Sequence, residues 1–234
     1  MLNLVFKLSL EDKKKKLLAY YKRANYANSP QVIRAFLEVP REKFVPDHMK
    51  DKAYIDSPLP IGEGQTISAP HMAFMMCEAL EPALKVNAKV LEIGGGSGYH
   101  AAICAEIVAP SNIPKEERKG HIYTIERIHR IAELCRTNLQ KAGYDDRVTV
   151  IEADGTLGFE EYAPYDAINV TAAGPKIPEP LVEQLSKDNG RLIIPVGARF
   201  GFQKLMLVIK EGEEVKEKNL GGVSFVPLKG EHGW

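Results

Sequence analysis

The segment Gly94-Gly95-Gly96-Ser97-Gly98 sets four glycines in five residues between a β-prone run, Lys89–Ile93, and a helix-prone run of about Tyr99–Val108. Glycine lets the backbone approach a ligand closely, and a helix starting there offers it unpaired N–H groups. The nicotinamide fingerprint needs a third glycine three residues after the second, but Tyr99 stands at that position. The spacing is G-x-G-x-G instead, with Glu92 two residues ahead of it. A second β-prone run, His121–Ile125, leads into Glu126, where a carboxylate can accept hydrogen bonds from both ribose hydroxyls of an adenosine cofactor. Glu126 lies 28 residues past Gly98, against about 20 in a minimal unit, and the polar insertion 110–119 accounts for the excess. Asp154-Gly155 follows a third run, Val148–Ile151, pairing an acid suited to an adenine amino group with a glycine that permits close approach. Each feature has a plainer reading: a tight βα turn for the glycines, pairing with Arg127 or Arg130 for Glu126. Together, on three successive strand ends, they point to S-adenosylmethionine rather than a nicotinamide cofactor.

Such residues converge only if strands and helices alternate, and the chain does so after Pro82. Further strands are expected at 165–170 and 191–196, with helices at 130–142 and 180–185. This βαβα rhythm predicts an α/β fold, a doubly wound, mostly parallel Rossmann-like sheet, with ligands at the edge where the strands end. Residues 204–209 and 223–226 read as a closing antiparallel pair with Glu211-Gly212-Glu213 in its turn. Ahead of the sheet, Ser29-Pro30 reads as a helix start, with Ser29 able to cap, and Val32, Ile33, Phe36 and Leu37 form one apolar face. Residues 44–70 carry Pro46, Pro58, Pro60, Gly62, Gly64 and Pro70 and read as a long structured loop, a common seat of function. One domain is expected: residues 1–82 as N-terminal helices plus this loop, 83–200 as the cofactor core, and 201–234 as closing strands and tail.

The 234 residues carry 31 basic and 31 acidic side chains, a balance that argues against a protein coating nucleic acid. Residues 1–50 hold 11 basic and 5 acidic groups, leaving 20 and 26 for the rest, so attraction between the two parts is a candidate docking force. The run Lys13 to Lys16 reads as a solvated helix face. Cys77, Cys104 and Cys135 have no metal-ligand spacing and read as buried small hydrophobes in a reducing compartment. His48, His100, His121, His129 and His232 read as structural or surface residues, and no metal is expected. The first ten residues make a poor signal peptide and no run is long enough to span a membrane, so a cytoplasmic protein without membrane or nucleic-acid partners is expected.

The stretch 56–72, DSPLPIGEGQTISAPHM, with LEIGGGSGY at 91–99, closely resembles the protein-L-isoaspartate O-methyltransferases. VPREKFVP at 39–46, the run around Val170-Thr171-Ala172-Ala173, GRLIIPVG at 190–197 and FVPL at 225–228 extend the resemblance over nearly all the chain from about residue 30. It implies a class I methyltransferase fold that moves a methyl group from S-adenosylmethionine to the α-carboxylate of L-isoaspartyl residues in aged proteins and peptides, leaving S-adenosyl-L-homocysteine. The ester then cyclises to a succinimide, whose hydrolysis returns some normal aspartyl. The resemblance places Ser68 at the reacting carboxylate. It assigns the cofactor to Thr66, Ser68, His71, Glu92, Gly94, Gly96, Gly98, Glu126, Asp154 and Gly155, and the substrate to Ile67, Ser68 and Val223. A monomer is expected. Gly95 departs from the family, which commonly has a small polar residue there, and Asn189 replaces a frequent glycine.

The residue types suit this chemistry. A carboxylate is already ionised at neutral pH, so no general base is needed, and no His–Asp pair stands out in the sequence. Alignment and exclusion of water carry the task. The competing readings keep Ser68 as a cap for a helix at Pro70–Leu80, His71 as a first-turn histidine, and Met72, Phe74, Met75 and Met76 as core. Rival functions are a methyltransferase for small molecules or RNA, a non-catalytic binding module, and an NAD-dependent oxidoreductase.

Overall fold

A computed structural model of the chain describes residues 8–234, so most of the N-terminal apolar run lies outside the described residues. The chain begins with α1 (Leu10–Arg23) and α2 (Pro30–Glu38). Ser9 starts α1 with a capping box, its side chain accepting from Asp12 N while the Asp12 carboxylate accepts from Ser9. Two short 3-10 turns lead to a hairpin, β1 (Leu59–Gly62) with β2 (Gln65–Ile67), and then to α3 (Pro70–Leu80). The stretch expected as loop thus contains a small sheet, whose four- and three-residue strands are too short to show periodicity.

The main sheet holds β3 (Lys89–Ile93), β4 (His121–Ile125), β5 (Val148–Ile151), β6 (Ala167–Val170), β7 (Gly190–Gly197), β8 (Gln203–Glu211) and β9 (Glu214–Val223). Their order is β5-β4-β3-β6-β7-β8-β9, parallel through β7 and antiparallel thereafter. Helices α4 (Tyr99–Val108), α5 (His129–Ala142) and α6 (Glu179–Glu183) complete the α/β architecture. All ten residues of α4 are buried, which suits its alanine-rich sequence between α2 and the sheet. The register aligns Ile93 with Ile125 and Val170, and Ile125 with Ile151. The residues that follow these strands therefore emerge along one edge. That edge includes the crevice between β3 and β6, where the strand order reverses.

Three local expectations need correction. The partner of β8 is Glu214–Val223, not 223–226; its residues are mostly exposed and four of the ten are charged, as an outer strand tolerates, so no hydrophobic signal marks it. Ser29 makes no side-chain cap; its hydroxyl donates to Glu81 instead. Lys14 is buried, its ammonium donating to the Leu37 carbonyl, so the lysine run is not wholly solvated.

One core cluster joins Leu18 and Tyr21 of α1, Phe36 of α2 and Phe74 of α3 to Ile122 and Leu207 of the sheet. The rings of Phe36 and Phe74 lie 4.8 Å apart and those of Tyr21 and Phe74 5.2 Å. Across the seam between the N-terminal helices and α4, Arg34 meets the buried Glu106 at 2.6 Å. Among the described residues no helix is long and apolar enough to cross a membrane.

Candidate functional site

Gly94 and Gly95 both donate to the Ile125 carbonyl, at 2.8 and 3.1 Å, so the glycine loop continues the β3–β4 pairing past the strand end. Gly94 has φ +91°, and a Cβ there would collide with the Thr171 hydroxyl, which donates to the Gly94 carbonyl at 2.7 Å. Glu126 binds the far side of the loop. One carboxylate oxygen accepts from Gly96 N at 3.1 Å and the other from Ile128 N at 2.9 Å. Arg130 pairs with Glu63 rather than with Glu126.

These elements wall a cavity of about 360 Å³. Thr66, Gly94, Gly96, Glu126 and Gly155 line it, as do Ile125, Ile128, Thr171, Arg199 and Phe200. A larger groove of about 920 Å³ adjoins it, lined by Ser68, His71, Met72, Met75, Val223 and Phe225 among others. Thr66, Thr171, Arg199, Phe200, Val226 and Pro227 belong to both walls. A third space of about 40 Å³ lies between Ser68 and the glycine loop and reaches Glu92 and His100.

The expected residues therefore fall into separate places. His71 faces the groove rather than the first cavity. Ile67 is buried, its side chain in the core and against the 40 Å³ space. Gly98 caps α4 in a left-handed conformation, beside Cys135 and Leu139. Glu92 is buried under the loop, accepting from the Thr124 hydroxyl at 2.6 Å, and burial lifts its carboxyl to about 7. Asp154 turns toward the tail, taking bonds from Thr156 N, the Thr156 hydroxyl and Glu231 N at 2.9, 2.7 and 2.8 Å. Neither Glu92 nor Asp154 lines the 360 Å³ cavity, although Gly155 does. Ala69 is the N-cap residue of α3, and no side chain caps that helix. Met72 and Met75 line the groove, whereas Phe74 and Met76 are core.

Several residues escape a reading of the sequence. Asp56 Oδ1 lies 2.9 Å from His71 Nδ1 and also accepts from His71 N at 3.1 Å and the Tyr21 hydroxyl at 2.6 Å. Burial works to raise the Asp56 carboxyl, but those bonds from Tyr21 and His71 outweigh it and hold the group below the usual range. The His–Asp pair was hidden by a separation of 15 residues that follows no motif. Arg41 is fully buried and donates to the carbonyls of Ala53 and Ser68 at 2.8 and 2.7 Å. Arg199 and Phe200 lie in a loop between β7 and β8 that carries no spacing signal. The motif around Thr171 was the one available pointer to that residue.

Known proteins match this arrangement. Residues 12–233 match the protein-L-isoaspartate(D-aspartate) O-methyltransferase family. The protein-L-isoaspartate O-methyltransferase of Hyperthermus butylicus is 53% identical over 222 residues, covering 94% of this chain and 90% of the relative. That of Staphylothermus marinus is 50% identical over 225 residues, covering 96% and 97%. Among solved structures, a protein-L-isoaspartate O-methyltransferase from Plasmodium falciparum in complex with S-adenosyl-L-homocysteine superposes with a TM-score of 0.80 at 29% identity, covering 92% of this chain and 98% of that one. By sequence and fold, this chain belongs to the protein-L-isoaspartate(D-aspartate) O-methyltransferase family.

Proposed function

We propose that the protein transfers a methyl group from S-adenosylmethionine to the α-carboxylate of L-isoaspartyl residues, with the 360 Å³ cavity for the cofactor and the adjoining groove for the damaged chain. The observation that carries this reading is the shared wall: Thr66 and Thr171 border both spaces, and Ser68 lies two residues from Thr66 on the groove side. A donor and an acceptor can meet there without bulk water between them.

The cavity fits an adenosine group by its own chemistry. Each Glu126 oxygen accepts one main-chain bond, and a carboxylate has lone pairs left for a vicinal diol. Gly96 brings bare backbone to the wall, and Ile125 and Ile128 add apolar faces for a flat ring. When bound, the cofactor supplies an electrophilic methyl group on a sulfonium.

The chain's residues then have a short task. The Ser68 hydroxyl donates one hydrogen bond to the acceptor carboxylate and fixes which oxygen faces the methyl group. Arg41 holds the Ser68 main chain, and Asp56 holds the His71 ring at the groove. No proton has to be removed from the acceptor, so His71 serves as part of the groove wall rather than as a base. The protein is taken to act as a monomer, and the three buried thiols suit a reducing cytoplasm.

The direct test is methyl transfer from labelled S-adenosylmethionine to an isoaspartyl peptide beside its normal aspartyl isomer. Labelling of the isoaspartyl peptide alone is expected; equal labelling of both, or of neither, overturns the proposal.

A further inference from the structure

Outside the machinery just described, the buried face between α3 and α4 carries an unused donor set. Cys77 projects from α3, and His100 and Cys104 lie one turn apart on α4. One ligand atom from each lies within 4.8 Å of the other two, and all three residues are buried. Cys77 Sγ and His100 Nε2 are 3.2 Å apart. Spacing along the sequence hides the group, because 23 residues and the whole of β3 separate Cys77 from His100.

We propose that Cys77, His100 and Cys104 form a binding site for a thiolate-seeking divalent cation of the zinc class, which staples α3 to α4. Two thiolates and an imidazole are a borderline-soft set, suited to Zn²⁺ over Mg²⁺ or Ca²⁺. Loading is balanced by the loss of one proton from each thiol, so the two thiolates neutralise the ion.

Two orphaned atoms independently mark the place. Asn169 Nδ2 lies 3.0 Å from His100 Nδ1, while Asn169 Oδ1, buried, has no partner among the described residues. Turning that amide by half a turn brings Oδ1 to Nδ1–H and leaves Nε2 as the lone-pair nitrogen aimed at Cys77. That is the outer hydrogen bond by which a ligating histidine is usually oriented. Glu92 Oε1 is also buried without a partner, and Glu92 and His100 both line the 40 Å³ space. A water needs roughly 10–15 Å³, so that space can hold one with Glu92 Oε1 as its acceptor, and of the three ligands His100 is the one that borders it. A plain Cys–His hydrogen bond is compatible with the turned amide but leaves Glu92 Oε1 without a partner among the described residues, a costly arrangement in a core.

The ion would join the helix that follows the Ser68 segment to the helix that follows the glycine loop. Its effect is structural and separable from turnover.

The test uses full-length protein, reduced and stripped with chelator, titrated with Co²⁺ alone and then with Zn²⁺. One equivalent of Co²⁺ per chain is expected, with thiolate-to-cobalt charge-transfer absorption and tetrahedral d–d bands that Zn²⁺ abolishes, and a higher melting temperature in the zinc form. Cys77→Ser and Cys104→Ser should each weaken binding at least about a hundredfold, Asn169→Ala about 10–100-fold, and Cys135→Ala should leave it unchanged. Should the cysteine variants fail to fold, zinc-edge X-ray absorption of the wild-type protein decides instead: two sulfurs and one nitrogen are expected. Substoichiometric Co²⁺ uptake, an oxygen- and nitrogen-only shell, or charge-transfer bands that survive in both cysteine variants overturn the site.

Discussion

Arg41 Nη2 donates to the Ser68 carbonyl at 2.7 Å, while Nε of the same guanidinium donates to the Ala53 carbonyl at 2.8 Å. The group lies over the Tyr99 ring, 4.7 Å from its centroid, and is wholly enclosed. A rigid planar fork thus ties the Ser68 segment to the turn before β1 and to the first residue of α4. Lysine has one donor nitrogen on a flexible stem and cannot reproduce the fork. Arg41→Lys is expected to leave at least one buried carbonyl unpaired, costing about 1–3 kcal/mol. In a domain of this size that lowers the melting temperature by roughly 2–4 °C per kcal/mol. Turnover should fall more than S-adenosyl-L-homocysteine affinity, because the segment that loosens carries Ser68. Calorimetric melting and steady-state kinetics on the variant check both parts.

For Ser68 itself, the predicted loss is one hydrogen bond to a charged acceptor, about 1.5–3 kcal/mol. Ser68→Ala should reduce kcat by roughly one to two orders of magnitude, with the affinity for S-adenosyl-L-homocysteine close to wild type. Unchanged methylation of an isoaspartyl peptide would remove the hydroxyl from the mechanism.

His71 decides between two assignments. The family resemblance gives it to the cofactor, yet its ring lines the groove and is held by Asp56 at 2.9 Å. Asp56→Asn removes the charge that orients the ring while keeping the size of the side chain. The groove assignment predicts a raised KM for the peptide and little change in cofactor affinity. A selective loss of S-adenosyl-L-homocysteine binding in a titration would return His71 to the cofactor.

The contrast between Glu126 and Asp56 shows what a sequence can reveal. Glu126 sits at a strand end in a fixed relation to a glycine loop, so periodicity and spacing locate it. Asp56, Arg41 and the Cys77–His100–Cys104 group meet their partners through tertiary packing, and no interval along the chain encodes that. Strand β9 was missed for another reason, since an outer strand with charges on both faces lacks alternation. The charge split between residues 1–50 and the remainder suggested electrostatic docking. The N-terminal helices instead pack through Tyr21, Val32, Phe36 and Phe74, with Arg34–Glu106 an ion pair across the seam. Lys13 and Lys43 donate to main-chain carbonyls rather than to acids.

Asp154 yields a prediction with a pH sign. Burial alone would raise its carboxyl, but bonds from Glu231 N and Thr156 outweigh that and lower it. A carboxyl depressed in the folded state contributes stability above its unfolded value, near 3.9, and loses it as pH falls through the folded value. The tail should therefore stay docked at neutral pH and release on the acid side, below about pH 4. Gly230 permits the contact, since a Cβ there would collide with the Asp154 carboxylate. Leu228 and Lys229, just ahead of it, line the 360 Å³ cavity, so undocking opens the cofactor site. Asp154→Asn should shift this behaviour to neutral pH: faster amide exchange across residues 229–234 and weaker S-adenosyl-L-homocysteine binding, with the melting temperature of the sheet little changed. Hydrogen exchange read by mass spectrometry measures the first effect and calorimetric titration the second. A variant whose tail stays protected at pH 7 while cofactor affinity still drops would make Asp154 a direct cofactor contact rather than the anchor of the tail.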